Sequence, residues 1–289
     1  MAFLTIFTIP KPFVDEHVSL IQNNALNSWV HLRPDVEVLV MGDDPGVAEA
    51  AAAHRVRHVT DAAMNEFGTP LLDWAFSEAA RLSSAEVLCY VNADIVLLDD
   101  FAAAVRRLPR WPYLAIGQRW NCDIRTPIAF AADGDGLDQW ARRNGQLDLG
   151  FGSDYFVYPH ELDFGLPPFA VGRPGWDNWM IGRALQLKLP VIDMTPSTTV
   201  IHQNHDYGHV QEGQGLDWEG PEADRNRELG GWVDRYKHSP SNATHVLALD
   251  GLRRARSFKY LRGKVYEFVL LRPATKPLRW LIRLAQRAA

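Results

Sequence analysis

The sequence predicts an α/β protein in which a mostly parallel β-sheet is covered by helices on both faces. Three observations indicate this class. Apolar runs alternate with segments of helical periodicity along the first part of the chain. These runs are continuous rather than interrupted by polar residues, as in strands that are buried on both faces. Apolar residues make up 47% of the chain and charged residues 22%, a composition typical of globular proteins.

The first half of the chain contains four predicted strand–helix units. Its apolar runs predict strands at 3–9, 36–41, 56–59 and 86–91. Helical spacing or richness in alanine predicts helices at 14–30, 46–53, 70–82 and 100–108. Strands that alternate with helices pair in parallel, because each helix carries the chain back to the same end of the sheet.

The second half of the chain is less regular. Strands are predicted at 113–117, 153–158, 190–194 and 198–201. Helices are predicted at 177–187 and, more briefly, near 137–143. The polar stretch 118–150 has no clear period and is predicted to cross over the sheet. Residues 210–231 are rich in Gly, Glu and Asp, which predicts a loop.

The stretch from Glu86 to Leu98 places polar side chains directly after a buried strand. Its apolar run VLCYV is followed by Asn92, Ala93 and Asp94. Side chains at positions i and i+2 of an extended segment point the same way, so Asn92 and Asp94 could address one divalent cation that carries phosphates. Open α/β sheets bind ligands at such strand ends. The alternative is a strand that leaves the core through a polar turn.

The order of these features resembles the nucleotide-binding half of a GT-A glycosyltransferase. A first buried strand is followed by a second that ends in Asp43 and Asp44, then by a glycine-containing loop before a helix. The next strand ends in Asn92-Ala93-Asp94, which is similar to the metal motif of that fold. The resemblance covers about residues 3–206 and implies a Rossmann-like sheet of the GT-A type.

The second half of the chain agrees with this resemblance. The segment 151–158 resembles the strand after the acceptor region. Residues 175–179, GWDNW, resemble the acidic motif of inverting, family 2-like members, and His202 resembles a histidine that follows their last core strand. Two positions depart from the pattern. Asn92 replaces an aspartate and is a weaker ligand for a hard cation, and Asp177 is followed by Asn178 where many relatives carry a second carboxylate.

The resemblance implies that a divalent cation, Mn²⁺ or Mg²⁺, stabilises the departing nucleoside diphosphate. Asp94 is the first predicted ligand and His202 the second, with His205 as a rival. Imidazole suits Mn²⁺ better than Mg²⁺. The resemblance makes Asp177 the catalytic base that accepts the proton of the acceptor hydroxyl. The alternative for Asp177 is an ordinary helix N-cap.

The nucleotide is expected across the carboxyl ends of the strands. Its predicted contacts are Thr8, Pro10, Asp43, Asp44, Glu66, Gly68, Thr69, Asn92, Ala93 and Asp94. The predicted sugar or acceptor contacts are Asp154, Arg173 and Trp176. Several have structural alternatives: a turn at Asp43–Asp44 and at Gly68, an N-cap at Thr69, a surface ion pair for Arg173 and a core position for Trp176.

The charge of the chain is unevenly distributed. The net charge is −5, yet residues 251–289 contain eleven Lys/Arg and one Glu, a net of +10, so the preceding residues carry −15. We therefore predict a catalytic domain at 1–250, with a nucleotide-binding half at about 1–110 and an acceptor half at 111–250, and a basic extension at 251–289. Arg279, Arg283 and Arg287 share one face of a predicted amphipathic helix at 276–288.

Such a basic helix suits an anionic membrane surface, with a helix docked on the sheet as the alternative. Nucleic acid is not expected, because the catalytic part is acidic. Two cysteines form no disulfide framework, no signal peptide is visible and no apolar run reaches membrane-spanning length. These features predict a cytoplasmic protein, peripheral on the cytoplasmic face of a membrane.

The predicted activity is transfer of a sugar from a nucleotide-sugar to a hydroxyl of a glycan or lipid-linked glycan, with inversion. A retaining transferase of the same fold and a non-catalytic carbohydrate-binding protein remain alternatives. A nucleotidyltransferase is a third, but it would require a glycine-rich, lysine-containing loop after the first strand, and Pro10-Lys11-Pro12 is not such a loop.

Overall fold

The computed structural model describes residues 2–32, 36–130, 136–148, 152–205, 219–234 and 238–261. Its α-helices are α1 (Glu16–His31), α2 (Val47–His54), α3 (Leu72–Leu82), α4 (Asp99–Val105), α5 (Leu137–Asn144), α6 (Trp176–Gln186) and α7 (Pro221–Asp234). Its strands are β1 (Leu4–Thr8), β2 (Val36–Met41), β3 (Arg57–Val59), β4 (Val87–Val91), β5 (Ile95–Leu97), β6 (Leu114–Ile116), β7 (Trp120–Cys122), β8 (Gln146–Leu147), β9 (Tyr155–Pro159), β10 (Val191–Asp193), β11 (Val200–Gln203), β12 (His245–Ala248) and β13 (Gly251–Arg254).

A nine-stranded sheet forms the centre of the molecule, in the order β13-β12-β10-β6-β9-β4-β1-β2-β3. Neighbouring strands are parallel, except that β9 is antiparallel to both of its neighbours and β13 is antiparallel to β12. The continuous apolar runs of β1 and β4 are buried on both faces and pair in register, Phe7 opposite Tyr90. The predicted mostly parallel α/β sheet is confirmed.

Helices cover both faces of this sheet, as predicted. On one face, Phe7 and Tyr90 of the sheet pack against Phe76 of α3 and Trp176 of α6. On the other face, Trp29 of α1 is fully buried in a second apolar cluster. Burying both faces removes apolar surface from water on either side, which is why the strands need no polar alternation.

A second, four-stranded sheet in the order β5-β11-β7-β8 was not predicted from the sequence. Its strands have two to four residues, too few to show a period of two. The strand β11 is antiparallel to β5, and its residue His202 lies opposite Ile95. This pairing brings the end of a late strand next to the residues that follow β4.

The loop predicted at 210–231 is wrong for its last part, because α7 occupies Pro221–Asp234; residues 210–218 lie outside the described part of the chain. This helix is stabilised by contacts with the rest of the domain, and its sequence shows no clear apolar periodicity of its own. Buried Asn226 exchanges two hydrogen bonds with the backbone of Ala170, at 2.9 and 3.1 Å. Side-chain amides that satisfy buried backbone groups in this way depend on a partner that is distant in the sequence.

The main sheet continues past residue 250, since β13 lies inside the segment predicted as an extension. The chain is then fixed to the domain by two contacts with Asp193, which is fully buried. Lys259 Nζ lies 2.8 Å and Tyr260 Oη 2.9 Å from its Oδ2. Residues 262–289, with the amphipathic helix predicted at 276–288, lie outside the described residues. Within the described ranges, no helix combines the length and apolar character needed to cross a bilayer.

Candidate functional site

Asp94 lies at the end of the central strand β4, in a turn that three hydrogen bonds hold in place. The Asn92 amide donates to the backbone carbonyl of Asp154 (2.9 Å), and the Ile95 amide donates to the carbonyl of Asn92 (3.2 Å). The side-chain amide of Gln203 donates to the carbonyl of Asp94 (3.1 Å). The turn that carries Asp94 is thus held by its own neighbours and by Asp154 and Gln203, which follow it by many positions, so its side chain is presented in a fixed direction.

Two histidines converge on the Asp94 carboxylate. His205 Nε2 lies 3.1 Å and His202 Nε2 3.4 Å from Asp94 Oδ2. One ligand atom from each of the three side chains falls within 4.8 Å of the others. The sequence predicted Asp94 with His202 and treated His205 as a rival, whereas the structure brings both histidines to the same carboxylate.

The electrostatics of the cluster favour an ionised Asp94. Burial alone would raise the pKa of this carboxyl group, but hydrogen bonds and positive charge from His202 and His205 outweigh burial and hold the pKa well below its usual range. An ionised carboxylate with two imidazoles is a donor set for a divalent cation.

Two polar atoms of the cluster have no hydrogen-bond partner among the described residues. They are Asp94 Oδ1 and His202 Nδ1, and both are buried. An unsatisfied buried acceptor on a charged group costs free energy, so such atoms mark a place where a ligand or ion would supply the missing partner. The three side chains therefore fit a divalent cation in both chemistry and spacing.

Asn92 and Asp154 lie beside this cluster and bind each other. Asn92 Nδ2 donates to Asp154 Oδ1 at 3.0 Å, and Arg119 forms an ion pair with the same carboxylate. Burial raises the pKa of Asp154, and the negative charge of Asp94 adds to this, while Arg119 opposes it. Sequence reasoning missed Arg119, because it lies in the polar crossover without a motif that distinguishes it from other surface arginines.

Asp177 is placed at the amino-terminal turn of α6, directly over the segment that leads into Asp154. A Cβ atom built on Gly152 would overlap Asp177 Oδ2 and lie 3.5 Å from its Cγ. Gly175 is the N-cap residue, with φ of 101°, and it has no side chain with which to cap the helix. The carboxylate is therefore not the N-cap that the sequence left open, although it lies in the first turn, where the helix dipole favours negative charge.

Gly152→Ala is expected to displace the Asp177 carboxylate, because the added methyl group would occupy the place of Oδ2. If Asp177 acts on the acceptor, kcat should fall by about 10-fold to 10²-fold, as for other small displacements of catalytic groups, while Mn²⁺ affinity stays unchanged. Steady-state transfer assays and Mn²⁺ binding by electron paramagnetic resonance measure both. Circular dichroism and the melting temperature show whether the variant is folded. A folded Gly152→Ala protein with native kcat would contradict the placement.

The predicted contacts at the ends of β1 and β2 lie at the same edge of the sheet. Thr8 is fully buried, and its Oγ1 has no hydrogen-bond partner within the described chain; Pro10 is buried next to it. Asp43 is exposed and accepts a hydrogen bond from the Ala62 amide (3.3 Å). Burial and the neighbouring Asp43 raise the pKa of Asp44.

The predicted contacts in the loop 65–70 are engaged by α7. Glu66 forms an ion pair with Arg225, and Glu222 accepts hydrogen bonds from Asn65 (2.7 Å) and from Thr69. Gly68 has φ of 79° in this turn. Glu222 also binds Arg173 Nη2 at 2.6 Å. Arg173 is thus in the ion pair that the sequence allowed as its alternative.

Trp176 is a core residue in the structure, again the alternative left open by the sequence. It is 6% exposed, and its ring packs against Tyr90 and Phe156, with centroids 5.0 Å apart in each case. Tyr90 precedes Asn92 by two residues on β4. The packing of Trp176 on Tyr90 therefore fixes the start of α6, and with it Asp177, relative to the strand that carries Asp94.

No protein-family model and no curated protein matches the sequence. Solved structures do resemble it. S. aureus TarS 1-349 in complex with UDP-GlcNAc matches over 79% of this chain, with 12% identity and a TM-score of 0.51, and the match spans 64% of the TarS fragment. At this identity the likeness shows a shared fold, of the GT-A type that the sequence predicted.

Two other solved structures match at lower TM-scores. Glucosyl-3-phosphoglycerate synthase from Mycobacterium tuberculosis, in complex with Mn²⁺, UDP and phosphoglyceric acid, covers 80% of this chain and 79% of its own, with 13% identity and a TM-score of 0.47. The mannosyltransferase PcManGT from Pyrobaculum calidifontis, in complex with GDP-Man and Mn²⁺, covers 99% of this chain and 80% of its own, with 12% identity and a TM-score of 0.46.

Proposed function

We propose that this protein is a metal-dependent glycosyltransferase that moves a sugar from a nucleotide-sugar to a hydroxyl group. One observation carries the proposal: Asp94, His202 and His205 converge at the end of β4, with Asp94 Oδ1 and His202 Nδ1 buried and unpartnered among the described residues. The shared fold supports it, since TarS with that fold was crystallised with UDP-GlcNAc.

Asp94, His202 and His205 would hold the cation. When bound there, a divalent ion supplies charge stabilisation for the departing nucleoside diphosphate. Two imidazole nitrogens in the donor set favour Mn²⁺ over Mg²⁺, which prefers oxygen ligands. Asn92, whose amide is bound to Asp154, orients the neighbouring carboxylate rather than adding a strong ligand.

Asp177 is the proposed base that takes the proton of the acceptor hydroxyl. Its carboxylate lies over Gly152, at the start of the segment that carries Asp154. A base on the acceptor side is needed for direct displacement with inversion, and the N-terminal turn of a helix such as α6 favours a negatively charged group. Retention would require a different role for Asp177.

The nucleotide is proposed to lie across the ends of β1, β2 and β4. Thr8 and Pro10 would lie beneath it, Asp43 and Asp44 would contact its ribose or base, and Asn92, Ala93 and Asp94 would border its phosphates. The loop with Glu66, Gly68 and Thr69 borders the same edge, held in place by α7. Asp154, with Arg173 and Trp176 in supporting positions, lies on the side of the transferred sugar.

The acceptor is proposed to be a glycan or lipid-linked glycan. The basic segment 276–288, outside the described residues, would place the enzyme on an anionic membrane at the cytoplasmic face. The composition that supports this is the net charge of +10 in residues 251–289 of an otherwise acidic chain.

Nucleotide-sugars are expected to raise the melting temperature of the protein in the presence of Mn²⁺. A ligand that binds only the folded state stabilises it by RT ln(1 + [L]/Kd), about 2.7 kcal/mol at 100-fold Kd. Differential scanning fluorimetry with UDP- and GDP-sugars, with Mn²⁺ and with a chelator, measures the effect. A shift for one nucleotide class that depends on Mn²⁺ would support the proposal. No shift with any of them at millimolar concentration would overturn it.

A further inference from the structure

The edge of the main sheet opposite β3 carries an unusual outward surface. It consists of exposed residues of β13 and of the segments that flank it, Leu249, Arg253, Arg254, Arg256, Phe258 and Leu261, which we call the β13 surface. Because side chains alternate along a strand, Arg253 and Arg254 border this edge from opposite faces of the sheet. Its apolar members are largely exposed, Leu249 to 80%, Phe258 to 78% and Leu261 to 56%. Its arginines are exposed as well. Large apolar side chains in such positions contribute nothing to the core.

Other residues of this segment face the core and are buried there. Ala255 and Tyr260 are 4% and 6% exposed within one apolar cluster, and Leu252 packs against the other. Lys259 is turned inward, with Nζ 2.8 Å from Asp193 Oδ2 and 2.6 Å from Gln118 Oε1. The inward residues therefore fix the segment to the domain and hold the β13 surface in place.

The charge on this edge is mainly positive. Arg253 lies 3.5 Å from Asp250, an exposed pair that contributes little, and Arg254 and Arg256 add further positive charge. Directly after it the sequence continues into the basic segment 262–289. Arginines interleaved with exposed Leu and Phe match an anionic lipid surface, because guanidinium groups bind phosphates while apolar side chains enter the acyl boundary.

We propose that the β13 surface is a membrane contact that seats the folded domain on anionic phospholipid. This inference rests on the proposed function at an anionic membrane, but it assigns the contact to the domain itself and not only to the tail. Nucleic acid fits this surface less well. A phosphate backbone would leave Leu249, Phe258 and Leu261 exposed to water. The net charge of −5 on the chain would also repel phosphates.

The contact can be tested with a polarity-sensitive fluorophore on Phe258→Cys in the full-length chain. Both native cysteines, Cys89 and Cys122, are buried, and burial raises the pKa of the Cys122 thiol to about 11, so neither should react. Vesicles of phosphatidylcholine and phosphatidylglycerol in equal parts should shift the emission to the blue, and added salt should reverse this. Pure phosphatidylcholine should not shift it.

The matched control is the same label on Val14→Cys. Val14 is 75% exposed and lies in the segment between β1 and α1. The strand β1 is six strands from β13, roughly 29 Å at the usual strand spacing. Its emission should not change. An unchanged probe at 258, with the protein still floating with the vesicles, would show that the tail alone binds and would overturn the proposal.

Charge removal gives an independent measurement. Arg253→Gln/Arg254→Gln/Arg256→Gln should weaken vesicle binding by roughly fivefold per arginine, on the order of 100-fold in all. The control removes three exposed arginines at the opposite edge, beside β3, with Arg55→Gln/Arg57→Gln/Arg81→Gln. This control should change vesicle binding little.

Two further outcomes separate this proposal from others. A probe response to single-stranded RNA and not to vesicles would assign the surface to nucleic acid and overturn the proposal. Transfer to a soluble acceptor, assayed without vesicles, tests the enzyme separately. A protein that shows no transfer but whose probe at 258 responds to vesicles would retain the membrane contact and lose the proposed catalysis.

Discussion

Asp94→Asn is expected to lower the rate of sugar transfer by about 10²-fold to 10³-fold, the usual effect of removing a charge-stabilising group, and to remove most of the Mn²⁺ affinity. The substitution keeps the shape of the side chain but removes its charge. His205 and His202 would then face a neutral amide at 3.1 and 3.4 Å, which cannot balance a divalent ion. Transfer assays at saturating Mn²⁺ and Mn²⁺ titrations followed by electron paramagnetic resonance measure the two effects.

The control for Asp94 is Asp123→Asn, which removes a carboxylate that is 64% exposed and paired with Arg125. It should leave transfer and Mn²⁺ binding near the native values. Circular dichroism and the melting temperature show whether either variant is folded. A folded Asp94→Asn protein with native Mn²⁺ affinity would remove the cluster as the metal site. Loss of Mn²⁺ binding with full transfer would instead exclude a role for the metal in the reaction.

Asp177→Asn is expected to lower kcat by about 10²-fold to 10⁴-fold, the usual contribution of a general base. Nucleotide affinity should stay within about twofold, because the carboxylate lies over Gly152 and is not among the proposed nucleotide contacts. Single-turnover kinetics and nucleotide titrations separate the two quantities. The loss of one charge near the start of α6 should cost no more than about 1 kcal/mol of stability.

Asp163→Asn is a suitable control for Asp177. Asp163 is exposed and accepts a hydrogen bond from the Gly165 amide at 2.7 Å, which an asparagine oxygen can also accept. Unchanged turnover in folded Asp177→Asn would remove this residue as the base and favour a retaining mechanism. The anomeric configuration of the product, determined by nuclear magnetic resonance, would then decide between the two stereochemical outcomes.

Some features of the site follow from local sequence. The VLCYV run predicts a buried strand. The polar residues Asn92 and Asp94 that follow it predict that this strand ends at a polar site. The helix predicted at 177–187 is observed at Trp176–Gln186, shifted by one residue. These features are predictable because burial and helix formation depend on neighbours within a few positions, whose pattern is visible in the sequence.

Other features depend on partners that are distant in the sequence. The ion pair of Arg119 with Asp154 joins residues 35 positions apart, and Glu222 binds Arg173 across 49 positions. The helix α7 forms in a stretch whose composition predicts a loop. It is held in place because the Asn226 side chain accepts a hydrogen bond from the backbone amide of Ala170. No local pattern carries this information, since a charged or amide side chain has many possible partners until the core is packed.

The α/β class, the mostly parallel sheet and the strand end that carries Asp94 can be predicted from the sequence, because the hydrophobic pattern of each segment specifies its burial. The meeting of His202 and His205 at Asp94 and the outward position of the β13 surface depend on tertiary packing instead. Short strands such as β5 and β11 pair through backbone groups common to all residues, so their register is set by the packing of the surrounding core.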